Sequence, residues 1–365
     1  MKTINLKKSI ALGAAVAALA FTTNLHAAVT VFVEGGSASQ SVLYDRATNL
    51  FAGGTFTSVP ASGTATVRRF QGTSLNPALS GFNPITLDIN VANGAINGLV
   101  ALVNQTADVN DTNVLGTPTV PTFVDSATTP EAVGIDSVAA NLTEYPTYVV
   151  PLVYVKNSLF PDLVAITNLT QRQAVSLETS TNKTTFYGGT NNNTYVYFVG
   201  RNTQAAVRTE IDLNIYNTAN IKTFTNNSSG LPVQDASADP GLTSGGNVAT
   251  TVLALTNSIG TVAVQNLKTT LVPLAYEGVS YSVTNVINGS YPLWGYEHYY
   301  FITAPNTGAP SSAQKAVIDA FYQSVTNSTF QNINTPAFTN NFVPITALKV
   351  KRNFDGGPIV PLANY

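Results

Sequence analysis

One arginine stands out among the residues that could bind a ligand. Arg201 follows the strand-like run Tyr195–Val199 after one glycine, in a chain with only 17 Lys and Arg among 365 residues. A guanidinium can hold an oxyanion through two parallel hydrogen bonds. The neighbouring residues Asn202, Thr203 and Gln204 add further polar donors. This segment therefore predicts one half of an anion-binding site.

Two glycine-containing turns are candidates for the other half of the site. Each follows a predicted strand and precedes a predicted helix, whose N-terminus presents unpaired backbone N–H groups and a partial positive charge. Most glycine-rich turns before helices have no ligand role, so these turns count only in combination with Arg201. The candidate residues are Ser37 and Ala38 in the first turn, and Asn93, Gly94 and Ala95 in the second.

An acidic side chain beside the anion would accept a hydrogen bond from a protonated ligand oxygen. Asp136 is the preferred candidate, because the apolar run 131–135 predicts a short strand that ends at this residue. Asp111 is the competing candidate, and it lies in polar loop sequence. The ordinary alternative for either residue is a cap or a solvated side chain.

The composition excludes several kinds of catalytic site. The sequence has no cysteine and two histidines, of which only His298 lies beyond the first 27 residues. A thiol nucleophile, a Cys-ligated metal, a disulfide scaffold and a site of several histidines are therefore excluded. A Gly-x-Ser-x-Gly elbow is also absent from the sequence. We predict a protein that is not an enzyme and that has no metal or cofactor.

The first 27 residues have the layout of a secretory signal peptide. Lys2, Lys7 and Lys8 precede an apolar stretch over residues 10–21, and a small residue, Ala27, stands at the expected cleavage point. The apolar stretch is too short for a membrane span, which needs about 20 residues. We predict cleavage near Ala27 and a periplasmic or secreted protein without stable membrane insertion.

The 14 basic and 19 acidic residues that remain after cleavage give a net charge of −5, which does not favour a nucleic-acid partner.

Predicted strands and helices alternate along the chain. Apolar periodicity and capping-box patterns define the helices, and β-branched or aromatic runs define the strands. This alternation predicts an α/β fold with mostly parallel sheets, in which ligands bind at the carboxyl ends of strands. The predicted strands cover 29–33, 85–91, 148–155 and 195–199, and the predicted helices contain Leu43 to Phe51, Ile96 to Val103, Ala174 to Leu177 and Val317 to Val325.

An aromatic segment near the C-terminus predicts another strand. Seven aromatic or histidine residues fall within the eleven positions from Tyr291 to Phe301. Aromatic residues are strong strand formers, so this interpretation is favoured over a stacking platform for a sugar. Glu297 and His298 would point to opposite faces of that strand, so we do not expect them to form one acid–base pair.

Five segments, taken in their order along the chain, resemble periplasmic phosphate-binding proteins. Their order carries the resemblance, which spans most of residues 28–330. The segments are 148–157, similar to the family's crossover strand; 166–174, similar to one of its helix starts; 195–202, similar to the strand before its arginine-containing anion loop; and the turns 259–262 and 289–293.

The resemblance implies a type II periplasmic-binding-protein fold with two α/β lobes and a ligand cleft between the lobes. Lobe I would comprise 28–148 and 265–365, and lobe II would comprise 149–264. The implied function is an exported solute-binding protein, which binds phosphate or a related oxyanion and passes it to an ABC transporter permease. The implied ligand residues are Ser37, Ala38, Asn93, Gly94 and Asp136 in lobe I, and Arg201, Asn202, Thr203 and Gln204 in lobe II.

The chain departs from the family pattern after the arginine. Phosphate-binding proteins have Ser-Gly-Thr beginning four residues after it, where this chain has Ala205-Ala206-Val207. Each missing hydrogen bond to a charged group costs about 1.5–3 kcal/mol, so two missing hydroxyls would weaken binding by about 10² to 10⁴. The alternative function is a secreted structural or surface-interaction protein that keeps the fold without the anion site. Residues 107–131 also look like an insertion at the rim of the cleft.

Overall fold

A computed structural model describes residues 28–60, 66–326 and 342–363 of the chain. The predicted signal peptide over 1–27 lies outside the described residues. No helix within the described ranges is long and apolar enough to cross a membrane.

Strands and helices alternate over most of the chain, as the sequence predicts. The strands are β1 Val29–Gly35, β2 Thr55–Val59, β3 Val67–Thr73, β4 Ile85–Asn90, β5 Phe123–Ser126, β6 Leu142–Asn157, β7 Asn168–Leu169, β8 Asn182–Lys183, β9 Tyr195–Val199, β10 Phe224–Asn226, β11 Pro232–Gln234, β12 Ser258–Ala263, β13 Leu271–Pro273, β14 Ala275–Tyr276, β15 Trp294–Ile302, β16 Val343–Pro344, β17 Val350–Lys351 and β18 Val360–Pro361. The α-helices are α1 Gln40–Leu50, α2 Ala95–Asn104, α3 Gln171–Thr179, α4 Ala206–Ile215, α5 Gly245–Ala254, α6 Val283–Ile287 and α7 Ser312–Thr326.

The main sheet has the strand order β2-β3-β4-β1-β5-β15-β6-β12-β9-β8, with β13 and β16 also paired to β6. Strand β1 is parallel to β4 and β5, and β12 is parallel to β9. These parallel pairs direct the turns before α1, α2 and α4 toward the middle of the molecule. The antiparallel strands β6 and β15 join the two parallel groups. The α/β class with two lobes is confirmed.

Strand β6 runs from one lobe into the other. Its residues from Leu142 to Pro151 pair with β15, whereas Leu152 to Lys156 pair with β12. These pairings support our proposal that the first crossing between lobes lies near Val149. Strands β13 and β14 pair with β6 and β7, so the chain from Leu271 to Tyr276 still packs on lobe II elements.

The aromatic segment forms β15 in the centre of this sheet, and the prediction of a buried strand is confirmed. Trp294 and Tyr299 are fully buried in the main hydrophobic core. His298 Nδ1 lies 2.7 Å from Glu144 Oε1, and the His298 ring stacks on Tyr300. Glu297 instead contributes to a cavity between the lobes, so the two neighbours do not share one site.

Helix starts follow the predicted capping patterns. Thr170 Oγ1 accepts the Gln173 N–H, and the Gln173 side chain accepts the Thr170 N–H in return. Ser311 and Gln314 make the same reciprocal pair at 2.9 and 3.3 Å, at the start of α7. Each pair satisfies two N–H groups that the helix itself leaves unpaired.

Two sequence predictions between residues 107 and 136 are wrong. The expected strand over 131–135 is a single 3₁₀ turn, Glu131–Val133, because Pro130 precedes it and Gly134, at φ +80°, ends it. The expected insertion over 107–131 contains β5, a central strand between β1 and β15. Strand β5 has only four residues and follows a polar segment, so the sequence pattern did not predict it.

Candidate functional site

Arg201 lies at the contact between the two lobes. It follows β9 and is 4% exposed. Its Nη1 donates to Ser37 Oγ at 3.2 Å, across the lobe boundary, while Nε and Nη2 donate to the carbonyls of Leu242 at 3.0 Å and Thr243 at 2.9 Å. Burial lowers the pKa of Arg201 to about 10, so the guanidinium stays charged at neutral pH. No ion pair found in the described part of the chain includes it.

A narrow cavity lies beside this guanidinium. The volume of the cavity that is open to the centre of a water molecule is only about 10 Å³. This is room for about one water. Apolar side chains make up most of its wall, and Arg201 and Glu297 are its two ionisable residues. The lining residues are Gly36, Ser37, Ala38, Gly94, Ala95, Ala127, Arg201, Ala205, Ala206, Val207 and Glu297.

Three helices begin at this cavity without a side-chain cap. The N-cap residues are Ser39 for α1, Gly94 for α2 and Ala205 for α4, and none accepts a backbone N–H through its side chain. Uncapped N-termini leave backbone N–H groups and a partial positive charge. Together with Arg201 they give the cavity the character of a site for an anion.

A pair of buried acids lies below the cavity. Glu297 is 1% exposed and Asp125, on β5, is fully buried. Burial and the Asp125 charge raise the pKa of Glu297 well above its usual range, while burial raises the pKa of Asp125 to about 7. Glu297 is therefore a neutral acid at neutral pH, and its proton can be donated to Asp125. The pair therefore holds at most one negative charge at neutral pH, and the residue of the pair that lines the cavity is the protonated Glu297.

A second acidic group lies behind the turn that holds Asn93. Asn93 Nδ2 donates to Asp111 Oδ1, and Asp111 Oδ2 accepts the Asp108 N–H at 2.7 Å. Glu34, at the end of β1, faces this pair, and burial together with the Asp111 charge raises the pKa of Glu34 to about 10. Asp111 is thus buried and positions Asn93, although the sequence places it in a polar loop.

The structure brings five of the candidate residues together and separates the others. Ser37, Ala38, Gly94, Ala95 and Arg201 line the cavity. Gln204 approaches it through its backbone, since a Cβ on Gly94 would lie 2.5 Å from the Gln204 carbonyl oxygen. Asn93, Asn202 and Thr203 do not line the cavity: Asn202 N–H donates to Leu242 O and Thr203 N–H to Asp239 Oδ1.

Asp136, the preferred acid, lies apart from this cavity. It is exposed and its Oδ1 caps the turn at Val138 and Ala139, at 3.0 and 2.9 Å. It borders a surface hollow with Ile135 and Asn141. Sequence reasoning missed Glu297 as a lining residue, although a carboxyl within an aromatic strand was a visible signal in a chain with 10% charged residues.

Comparisons with known proteins agree on the fold. A phosphate ABC transporter substrate-binding protein from Clostridium perfringens, solved with bound phosphate, matches at a TM-score of 0.57 and 14% identity, covering 87% of this chain and 99% of the other. An ABC-type phosphate transport receptor from Vibrio cholerae matches at 0.53 and 11%, covering 86% and 99%. No protein-family model and no curated protein sequence matches this chain. The resemblance to phosphate-binding proteins therefore holds for the fold.

Replacing Glu34 tests the buried acid behind Asn93. Its carboxyl keeps a proton in the folded state up to a pH of about 10, whereas the unfolded chain releases it near 4.5. The folded state thus binds more protons between these values, and stability falls as pH rises, by up to about 1.4 kcal/mol per pH unit. Glu34→Gln should be more stable than wild type at pH 8 in urea denaturation, with less loss between pH 5 and 8.

The matched control for this change is Lys183→Gln, which removes an exposed charge. If Glu34→Gln and wild type lose stability in parallel over this range, Glu34 does not hold a proton in the folded protein.

Gly94→Ala tests the close approach of the two lobes. Gly94 has φ +89°, and an added Cβ would meet the Gln204 backbone at 2.5 Å. Backbone strain alone costs about 1–3 kcal/mol. The clash adds to this cost, because the Gln204 carbonyl belongs to the backbone and cannot rotate aside as a side chain could. Gly134→Ala is the control, since Gly134 also has a positive φ but faces open space. Equal losses of unfolding free energy in the two variants would contradict the lobe contact.

Proposed function

We propose that this chain is an exported solute-binding protein that holds phosphate or a related oxyanion between its lobes for uptake by an ABC-type transporter. The observation that carries the proposal is the buried Arg201 guanidinium, which joins the two lobes through Ser37 and forms no ion pair within the described residues. Both matched phosphate-transport proteins have this fold. The protein acts by binding and conformational change and catalyses no reaction.

Binding requires movement of the lobes. The cavity has room for about one water, and Gly94 of lobe I touches the backbone of Gln204 in lobe II. An oxyanion enters when the lobes separate, and it replaces the Ser37 hydroxyl as a partner of Arg201. Closure then brings the uncapped starts of α2 and α4 against its oxygens, a hinge motion around a ligand.

Export precedes this function in our proposal. The leader over 1–27 would be removed near Ala27, and the protein would act in the periplasm or outside the cell. Its partners would be the anion and the permease of an ABC transporter.

A specific observation favours the alternative, a secreted structural or surface-interaction protein that has kept the fold. Ala205, Ala206 and Val207 line the cavity with methyl groups, and at positions 205 and 207 the family resemblance implies hydroxyl donors. In this alternative the lobes stay closed and Arg201 is satisfied by Ser37, Leu242 and Thr243 alone.

A panel of anions separates the two functions. Phosphate, sulfate and molybdate are added separately in a thermal unfolding assay, and a ligand at 100 times its dissociation constant should stabilise the protein by about 2.7 kcal/mol. Arg201→Met should remove the shift, because it removes the charge that holds the anion, whereas Arg172→Met, at an exposed position on α3, should keep it. If no anion raises the unfolding temperature of the wild-type protein, the result would support the structural alternative.

Restoring hydroxyl donors tests the geometry of the same site. The double variant Ala205→Ser, Val207→Thr adds two donors to the cavity wall. At about 1.5–3 kcal/mol for each hydrogen bond to a charged group, phosphate affinity should rise by about 10² to 10⁴ in titration calorimetry. Val100→Thr, at an exposed position on α2, controls for an added hydroxyl elsewhere. Unchanged affinity in the double variant would show that the anion does not bind against α4.

A further inference from the structure

Two carboxyl groups lie side by side below the Arg201 cavity. Strand pairing places Asp125 on β5 opposite Tyr299 on β15, and Glu297 lies two residues before Tyr299. Side chains two residues apart point to the same face of a strand, so Asp125 and Glu297 are diagonal neighbours on one face of the sheet. Glu297 also lines the cavity beside Arg201. An anion in the cavity would therefore meet a residue that is paired with a second buried acid.

The described residues offer these two acids neither a counter-ion nor a hydrogen-bond donor. Asp125 is fully buried and Glu297 is 1% exposed. No ion pair in the described ranges includes either carboxyl group, and no N–H or O–H group there donates to either oxygen of Asp125 or to Oε2 of Glu297. Because buried polar atoms are almost always hydrogen-bonded, the hydrogen between them has to be a proton that the two acids share. With one shared proton these two residues, here called the acid pair, carry one negative charge.

The other ionisable groups on the neighbouring strands and on α1 leave this charge in place. Tyr148 on β6 lies opposite Glu297, and burial raises the pKa of Tyr148 and of Tyr299 well above the usual range, so both phenols are neutral. Arg46 on α1 acts on Tyr299, but it forms an ion pair with Asp45. The acid pair is therefore not neutralised from these elements.

A third acid, Glu210 on α4, lies over the same face of β15. A Cβ on Gly295 would meet Glu210 Oε2 at 2.5 Å, and Gly295 precedes Glu297 by two residues. Burial and the charge of Asp355 raise the pKa of Glu210 well above its usual range, against the opposing charge of Arg352. Glu210 is therefore neutral, and the negative charge beside the cavity remains that of the acid pair.

We propose that the acid pair is a proton-binding site coupled to the anion cavity, and that the protein takes up one proton with each oxyanion it binds. The inference rests on the proposed function and identifies the proton as a second ligand of the same site. An anion beside the acid pair meets a like charge through a wall of low dielectric constant, where repulsion is strong. A proton from solvent that binds to the Asp125 carboxylate removes this charge.

Proton uptake also creates a donor for the anion. Once Asp125 carries its own proton, it no longer has to accept the Glu297 O–H, which can turn toward an oxygen of the anion. Hydrogen bonds to a charged acceptor are short and strong. This donor offsets part of the loss at Ala205 and Val207, which line the same cavity with methyl groups. Proton and anion therefore favour each other's binding by the same factor.

The coupling gives the anion affinity a definite dependence on pH. Burial raises the pKa of Asp125 to about 7 in the free protein, and a bound anion raises it further. Above this pH the complex holds more protons than the free protein, so anion affinity falls as pH rises. From pH 7 to pH 8 the expected loss is about fivefold, and it approaches about tenfold for each further unit while the complex keeps its proton.

Titration calorimetry at pH 8 in HEPES and in Tris counts the protons, because the two buffers release a proton with different enthalpies. The probes are sulfate, which carries no proton at this pH, molybdate, and phosphate, whose count is corrected for its own titration. For each anion that binds, the wild-type protein should take up close to one proton and should bind about fivefold more tightly at pH 7 than at pH 8. Asp125→Asn removes the carboxylate that accepts this proton, so its uptake should be near zero and its affinity independent of pH.

Glu178→Gln is the matched control. Glu178 on α3 is also a buried acid whose pKa is raised by burial, but it does not line the cavity, so its loss should leave the proton uptake unchanged. If Asp125→Asn does not fold, the wild-type count still decides whether the coupling exists. Glu297→Gln then tests the assignment to the acid pair: its amide donates to the charged form of Asp125 and lowers the pKa of that carboxyl, so uptake at pH 8 must be smaller than in wild type.

The outcomes separate this inference from the proposed function. A wild-type protein that binds any of the three anions without taking up a proton overturns the inference and leaves the proposed function standing. Uptake that persists in folded Asp125→Asn, or at the wild-type level in Glu297→Gln, overturns the assignment to the acid pair. If none of the anions produces heat in either buffer or raises the unfolding temperature, the proposed function and the inference are both overturned.

Discussion

A buried positive charge between the lobes is the constraint on which the site depends. Arg201 gives up nearly all contact with water, and three of its five N–H donors bond to fixed acceptors of the protein. These acceptors are the Leu242 and Thr243 carbonyls and the Ser37 hydroxyl. All three are neutral, so they satisfy hydrogen bonds without cancelling the charge. The Arg201 guanidinium therefore keeps its positive charge beside the cavity, and the uncapped starts of α1, α2 and α4 add their partial positive charges.

Buried acids that keep their protons limit the negative charge near Arg201. Several carboxyl groups lie near the contact between the lobes. Their negative charges would outweigh the positive charge of the Arg201 guanidinium if all of them were ionised. Burial prevents this, because the pKa values of Glu34, Glu210 and Glu297 are raised far above the usual range. A buried carboxyl that keeps its proton is a donor: Glu34 faces Asp111 and Glu297 faces Asp125, so each pair holds one negative charge rather than two. Pairing the acids therefore reduces the negative charge around the lobe contact without removing it.

The sequence was most informative where the pattern is local. The capping boxes at Thr170 and Ser311, the β15 strand and the position of Arg201 after β9 each follow from a few adjacent residues. Asp136 was chosen wrongly as part of the cavity, because Gly134 and Pro130 turn the apolar run into a 3₁₀ turn that leads away from it. The contact between Asp355 and Thr129 joins residues separated by 226 positions. Sequence periodicity and spacing cannot predict such a contact, because only the topology of the sheet brings the two residues together.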